Sequence, residues 1–302
     1  MPRSSRVKVT VDGTQLELSN LDKPLYPDFT KAEVIDYYTR VAPVLLPHLA
    51  HRPLTRVRFP EGVDGQSFFE KNAPSHTPDW VRRVTLPSPG SSYGRESIDY
   101  VVVDGLPSLV WLANLAALEL HTPQWTVTEG GRPNLPDRLV FDLDPGPPAG
   151  LPECCEVALA LRERLRADGL EAYPKTSGKK GMQLVCPVSG EQDDAVLSGY
   201  AKLLARELEA EAPDRVVSRM ARKLRPGKVF IDWSQNNAAK TTVAPYSLRA
   251  QPEPTVSTPL TWDEVAARAR PRFTAASVLE RVEQYGDLLA GVLERGPRVP
   301  AP

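Results

Sequence analysis

The 302-residue chain has no apolar run long and clean enough to cross a membrane. Its most apolar stretch, VVVDGLPSLVWLANLAALEL at 101 to 120, is interrupted by Asp104, Pro107, Asn114 and Glu119. It reads as a buried strand followed by a buried helix. The N-terminal MPRSSRVKVT lacks the apolar core of a secretory leader. Cysteine is scarce: Cys154, Cys155 and Cys186 form neither an even disulfide framework nor a metal-binding spacing, which predicts a reducing cytoplasm. The four histidines pair with none of them, which excludes a zinc site of that kind. The sequence holds no GxxxxGK[ST] phosphate loop, no internal repeat and no low-complexity linker. A formal net charge of −1 excludes a protein that coats nucleic acid through bulk charge.

The charge is unevenly spread. Residues 191 to 213 carry six acids against Lys202 and Arg206, and residues 214 to 249 carry eight bases against Asp214 and Asp232. A basic concentration around one acid points to a site for phosphates, although a solvated basic face would look the same. At 41% hydrophobic and 25% charged, the chain can bury a substantial core.

Periodicity predicts an α+β fold. Asp12-Gly13 turns a hairpin over residues 6 to 18, and the Thr30/Glu33 capping box opens a helix that Pro43 and Pro47 should disturb. Strands are expected at 54 to 59, 97 to 103, 122 to 127, 138 to 144, 171 to 176, 182 to 187, 228 to 233 and 243 to 248. Helices are expected at 152 to 168, 193 to 210, 262 to 269 and 275 to 293. The strand, helix and strand between 138 and 176 have βαβ spacing, and the proline-rich GPRVPAP end reads as a frayed tail.

The chemistry concentrates in three segments. In RLVFDLDPG, 138 to 146, strand alternation sends Leu139, Phe141 and Leu143 to the core and Asp142 and Asp144 to the other face. Two carboxylates there suit a divalent cation, although Asp144 could also simply cap the turn before Pro145. In GKVFIDWSQN, 227 to 236, Asp232 ends an apolar run, where an acid needs a cation, be it a metal, Lys228 or Lys240. KTSGKKGMQLVCPV, 175 to 188, places Ser177, Gly178, Lys180 and Gly181 in a short loop whose amides, hydroxyl and ammonium groups suit phosphate oxygens, or which serves only as a hairpin.

Together with LDKPLYP near residue 22, GVDGQSFFEKNAP at 62 to 74, ALELHTPQW at 117 to 125 and AKTTVAPYSLR at 239 to 249, these segments resemble the polymerase domain of bacterial DNA ligase D proteins, in the archaeo-eukaryotic primase superfamily. The resemblance spans nearly the whole chain. It implies a two-lobed primase-polymerase fold with mixed and antiparallel sheets flanked by helices around an RRM-like catalytic core. It also implies one catalytic unit: an N-terminal lobe over about 1 to 130, a catalytic core over about 131 to 295 and a flexible tail at 296 to 302. With no ligase or nuclease segment in the sequence, a stand-alone member or an excised domain is expected.

The family's roles carry over as follows. Asp142, Asp144 and Asp232 would bind two divalent ions, manganese in preference to magnesium. His121, Ser177, Lys180, Arg225, Gln235 and Arg249 would surround the incoming nucleotide. Lys23 and Lys31 would grip the 5′-phosphate of gapped or broken DNA, and Phe68 or Phe69 would stack on a template base, adjacency placing one of the two in the core. The activity implied is template-dependent filling of short gaps or ends with a preference for ribonucleotides, in the bacterial cytoplasm at the nucleoid, alongside a ligase and an end-binding protein. A non-catalytic end-binding module and a de novo primase are the alternatives. The chain departs from the family at Gln183, where histidine is usual, and in a slightly shorter Lys23–Lys31 interval.

Overall fold

The computed structural model describes residues 6–88, 96–268 and 271–300. The expectations for residues 269, 301 and 302 lie outside them. The hairpin Arg6–Val11/Thr14–Ser19 turns on Asp12 and Gly13, both with positive φ (45° and 77°), as the tight turn requires. Thr30 caps the helix Lys31–Leu49 in a reciprocal box with Glu33. Contrary to expectation the helix runs through Pro43 and Pro47. Both prolines are exposed, so the carbonyls they leave unpaired lie on the solvent side.

A first sheet has the order Thr242–Val243, Ala117–Thr122, Pro53–Arg58, Ser97–Val102, Arg83–Pro87, with Phe68–Glu70 also on Pro53–Arg58. The strand expected at 122 to 127 is therefore the alternating ALELHT before it, which ends at Pro123. The stretch at 243 to 248 is likewise no single strand. Tyr246, at φ 64°, separates Thr242–Val243 from Leu248–Arg249.

The second sheet has the order Tyr173–Thr176, Met182–Pro187, Arg138–Pro145, Val229–Asp232, Val216–Val217. The helices Leu151–Ala167 and Asp194–Glu211 pack against it, giving the split βαββαβ order of an RRM-like core. The expected βαβ unit is present, but Met182–Pro187 lies between its two parallel strands, antiparallel to both. One hydrophobic core fills the space between Lys31–Leu49 and the first sheet and draws in Tyr246, Leu248, Val256 and Val278 from late in the chain. A second large core lies under the second sheet.

The last helix is shorter than expected, Ala275–Tyr285, because Gly286 (φ 66°) turns the chain into a 3-10 turn at Ala290–Leu293. The described part of the terminal segment is not frayed. Ser189 donates to the Pro297 carbonyl, and Val299 is buried in the second core. Among the described residues no helix is long and apolar enough to cross a membrane.

Candidate active site

The acidic centre follows from strand register. Asp142 lies opposite Asp232 on one neighbouring strand and opposite Gln183 on the other, while Leu139, Phe141 and Leu143 are fully buried on the core face. Asp144, two residues on, is exposed at the strand's mouth. The short 3-10 turn after Asp232 is fastened to the central strand by Asn236, which accepts from the Val140 amide and donates to the Val140 carbonyl, both at 2.8 Å. Burial, then the charges of Asp144 and Asp232, push Asp142 up to about 7, against a hydrogen bond from Gln183 that lowers it. Burial and Asp232 also raise Asp144, which Arg225 partly offsets.

No lysine cancels this charge at Asp232. Lys228 donates to the Pro213 carbonyl and Lys240 to the Ser234 hydroxyl. Asp232 instead accepts from the Ser234 amide and hydroxyl on one oxygen and from Gln235 Nε2, at 2.7 Å, on the other. Asp142 accepts from Gln183 Nε2 at 3.0 Å. With their oxygens turned to these donors, no three acidic, histidine or cysteine side chains among the described residues form a ready-made cation cage. The donor set nevertheless fits divalent cations. Three carboxylates share adjacent strands, and the burial and like-charge crowding that raise Asp142 and Asp144 are what a cation would offset.

Beside the acids opens a cleft of about 360 Å³ lined by His121, Asp142, Asp144, Ser177, Lys179, Lys180, Gly181, Gln183, Gln235, Thr241, Thr242, Val243, Arg249 and Gln251. It brings together five of the six residues expected around the nucleotide. The sixth, Arg225, stacks on the Phe230 ring at 3.7 Å and donates to Met220, so it flanks Asp144 outside the cleft. The glycine loop is closed by Ser177, whose hydroxyl accepts from the amides of Lys179 and Gly181. Gly178 (φ 70°) is required there. A Cβ would lie 2.6 Å from the Arg249 side chain and 2.8 Å from the Val256 backbone.

Two cleft-side groups escaped the sequence reading. Glu119 is 4% exposed, accepts hydrogen bonds from His121 and the Ala250 amide, and forms ion pairs with Lys179 and Arg249. Its only signal was the alternation ELH, which puts Glu119 and His121 on one face. Lys175 is buried, donating to the Val243 carbonyl and Ser257 hydroxyl. Burial and the Arg249 charge lower it to about 7, against the pull of Asp142. A lysine near the end of a strand, just before a glycine loop, gives no sequence sign of burial. Burial likewise lowers His121, with Glu119 opposing.

The other expected residues lie in the N-terminal half. Lys23 pairs with exposed Glu61 at 2.9 Å. Lys31, expected to grip the 5′-phosphate and placed in the first turn of its helix, is 6% exposed and donates to the Ser19 carbonyl at 2.6 Å. The first two amides of that helix bond to the Lys23 and Leu21 carbonyls. Burial, then the nearby Lys23 and Arg58 charges, lower Lys31 to about 8, so three cations do converge there. Phe68 and Phe69 are 39% and 62% exposed, so neither is core, because their short strand is covered on one edge alone.

A family described as the LigD primase-polymerase domain matches residues 30–289. A multifunctional non-homologous end joining protein LigD of Mycolicibacterium smegmatis is 43% identical over 278 residues, 91% of this chain and 36% of that protein. A bifunctional non-homologous end joining protein LigD of Bacillus subtilis is 32% identical over 276 residues, covering 43% of its length. The chain thus spans less than half the length of these relatives. The solved polymerase domain of Mycobacterium tuberculosis ligase D, in complex with DNA, superposes with a TM-score of 0.88 at 42% identity, covering 93% of this chain and 99% of that one.

Proposed function

The chain belongs to the LigD primase-polymerase domain family, and we propose that it is a template-directed nucleotidyltransferase that fills short gaps or extends broken ends during end joining. The observation that carries this reading is the cross-strand placement of Asp142 and Asp232, with Asp144 beside them, against a cleft walled by Ser177, Lys180, His121 and Arg249. An acidic centre that binds cations next to a basic wall that binds phosphates is what phosphoryl transfer needs.

Asp142, Asp144 and Asp232 would hold the divalent ions, manganese for preference, and bound there these supply charge stabilisation to the attacking and leaving oxygens. The primer's 3′-hydroxyl, giving up its proton to solvent, attacks the α-phosphate of the nucleotide; the new phosphodiester forms as the bond between the α- and β-phosphates breaks and pyrophosphate leaves. Lys180, Arg249 and the Ser177 loop orient the triphosphate, and Gln235, fixed by Asp232, borders the same cleft. Exposed Phe69, with Phe68, offers a stacking platform for a template base. Lys23 remains the group able to reach a 5′-phosphate, with Lys31 and Arg58 adding charge behind it. Ribonucleotides are the preferred substrate, and a ligase seals the product.

The test is extension of a primer across a short gap, with and without a 5′-phosphate, comparing ribo- and deoxyribonucleotides. Activity confined to single-stranded template without a primer would make the protein a de novo primase. DNA binding without incorporation would make it an end-binding module.

A further inference from the structure

Glu119 stands apart from the other acids of the cleft. It lies on the first sheet, away from the strands of the acidic centre, and its buried carboxylate is enclosed by donors. Oε1 lies 3.0 Å from Lys179 Nζ, 3.2 Å from Arg249 Nε and 3.0 Å from the Ala250 amide, and Oε2 lies 3.1 Å from His121 Nε2. Burial alone would raise its pKa. The hydrogen bond from His121 and the charges of Arg249 and Lys179 outweigh that and hold it ionised.

The donors differ in how firmly they are placed. Arg249 is 8% exposed and also donates to the Ser177 carbonyl, so it stays in the wall without Glu119. His121 is fixed by its strand. Lys179 is different: its side chain is 37% exposed, it lines the cleft, and Glu119 is its ion-pair partner. A flexible, partly solvated lysine folded onto a buried carboxylate can exchange that partner for a more highly charged anion at small cost.

We infer that Glu119 is a resident counter-anion of the triphosphate pocket, which occupies Lys179 and Arg249 while the cleft is empty and yields Lys179 to the incoming phosphates. This rests on the reading of the cleft as a triphosphate site. Its consequence is a pocket tuned to let polyphosphate leave. The cations that bind it always have a fixed competitor, so the leaving pyrophosphate is held less tightly than the bare cationic wall would hold it.

The experiment is calorimetric titration of the whole chain with inorganic tripolyphosphate, at low salt and with a chelator so that the aspartates hold no metal. Glu119→Gln removes the charge and keeps the shape. It should bind tripolyphosphate at least about threefold tighter than wild type, and Lys179→Met should bind it about threefold weaker or worse. A side chain that only scaffolds the wall would give the opposite sign, weaker binding in Glu119→Gln. Equal or weaker binding by that variant, folded as judged by its circular dichroism, overturns the inference, as does unchanged binding by Lys179→Met, which serves also if Glu119→Gln does not fold. Arg249→Ala separates the two levels. If it abolishes wild-type binding while Glu119→Gln fails to tighten it, the triphosphate reading stands and the counter-anion role falls. If wild type binds no tripolyphosphate, both fall.

Discussion

Asp142 and Asp232 face each other as cross-strand partners on antiparallel strands, two carboxylates where a sheet ordinarily places a neutral or oppositely charged pair. Side chains directly opposite in such a ladder have Cβ atoms about 4.5–5.5 Å apart, and like charges there are destabilising. Asp144 adds a third acid beside them, a crowding of like charges that a bound cation would relieve. Alanine at Asp142 or Asp144 should therefore abolish incorporation while DNA binding, measured by fluorescence anisotropy, changes little. A Kd raised by more than about tenfold in both variants would mean the acids shape the DNA surface instead.

The same crowding should appear in pH dependence. Asp142 is pushed up to about 7 in the folded protein, against about 3.9 in an unfolded chain. The folded state thus holds this proton more tightly, and the group costs stability progressively as pH rises from about 4 to about 7, with the full penalty above that. In a chelator, Asp142→Asn should melt several degrees above wild type near pH 8, and the gap should close toward pH 4. A variant that melts at or below wild type near pH 8 would contradict the assignment.

The strands of the acidic centre were legible because Asp142 and Asp232 each end an apolar run in the sequence, and alternation alone assigns Asp142 and Asp144 to one face. The partner of Asp142 was not legible. Register between strands separated by two helices depends on packing, and no local pattern reports it. Burial was the other blind spot. Lys31 sits where a capping box predicts a solvated first turn, yet the first hairpin folds over it, and Lys175 and Glu119 vanish into the wall between the sheets. Phe68 and Phe69 err in the other direction. Two adjacent aromatics suggest a core, but an edge strand exposes both.

Lys23 and Lys31 should separate under mutation. Lys31→Ala removes a buried hydrogen bond to the Ser19 carbonyl and should destabilise the fold by about 1.5–3 kcal/mol in chemical denaturation. Lys23→Ala loses only an exposed pair with Glu61, worth at most about 1 kcal/mol, and should leave stability nearly unchanged. It should nonetheless erase any preference for gaps carrying a 5′-phosphate. Equal destabilisation by the two changes would refute the distinction drawn from their burial.

Phe69 is 62% exposed, so Phe69→Ala should leave the melting temperature within experimental error. If it stacks on a template base, binding to gapped DNA should weaken by about 1–3 kcal/mol. Unchanged DNA affinity would assign that surface another partner.

Gln183 donates to Asp142, and its own carbonyl oxygen is buried without a hydrogen-bond partner among the described residues. Gln183→His would substitute a ring that charges near pH 6.5. Apparent nucleotide affinity should then differ from wild type, with the difference growing below about pH 6.5. Identical kinetics from pH 5.5 to 8 would make the position structural.

The central claim is that Asp142, Asp144 and Asp232 act together on one nucleotide, and single-turnover incorporation into a one-nucleotide gap tests it most directly. Wild type with manganese should extend the primer by one templated nucleotide. Asp232→Asn, which keeps the hydrogen bonds to Ser234 but not the charge, should lose at least about a thousandfold in rate, some 4 kcal/mol of transition-state stabilisation. An Asp232→Asn protein that fills the gap at a rate near that of wild type would contradict it.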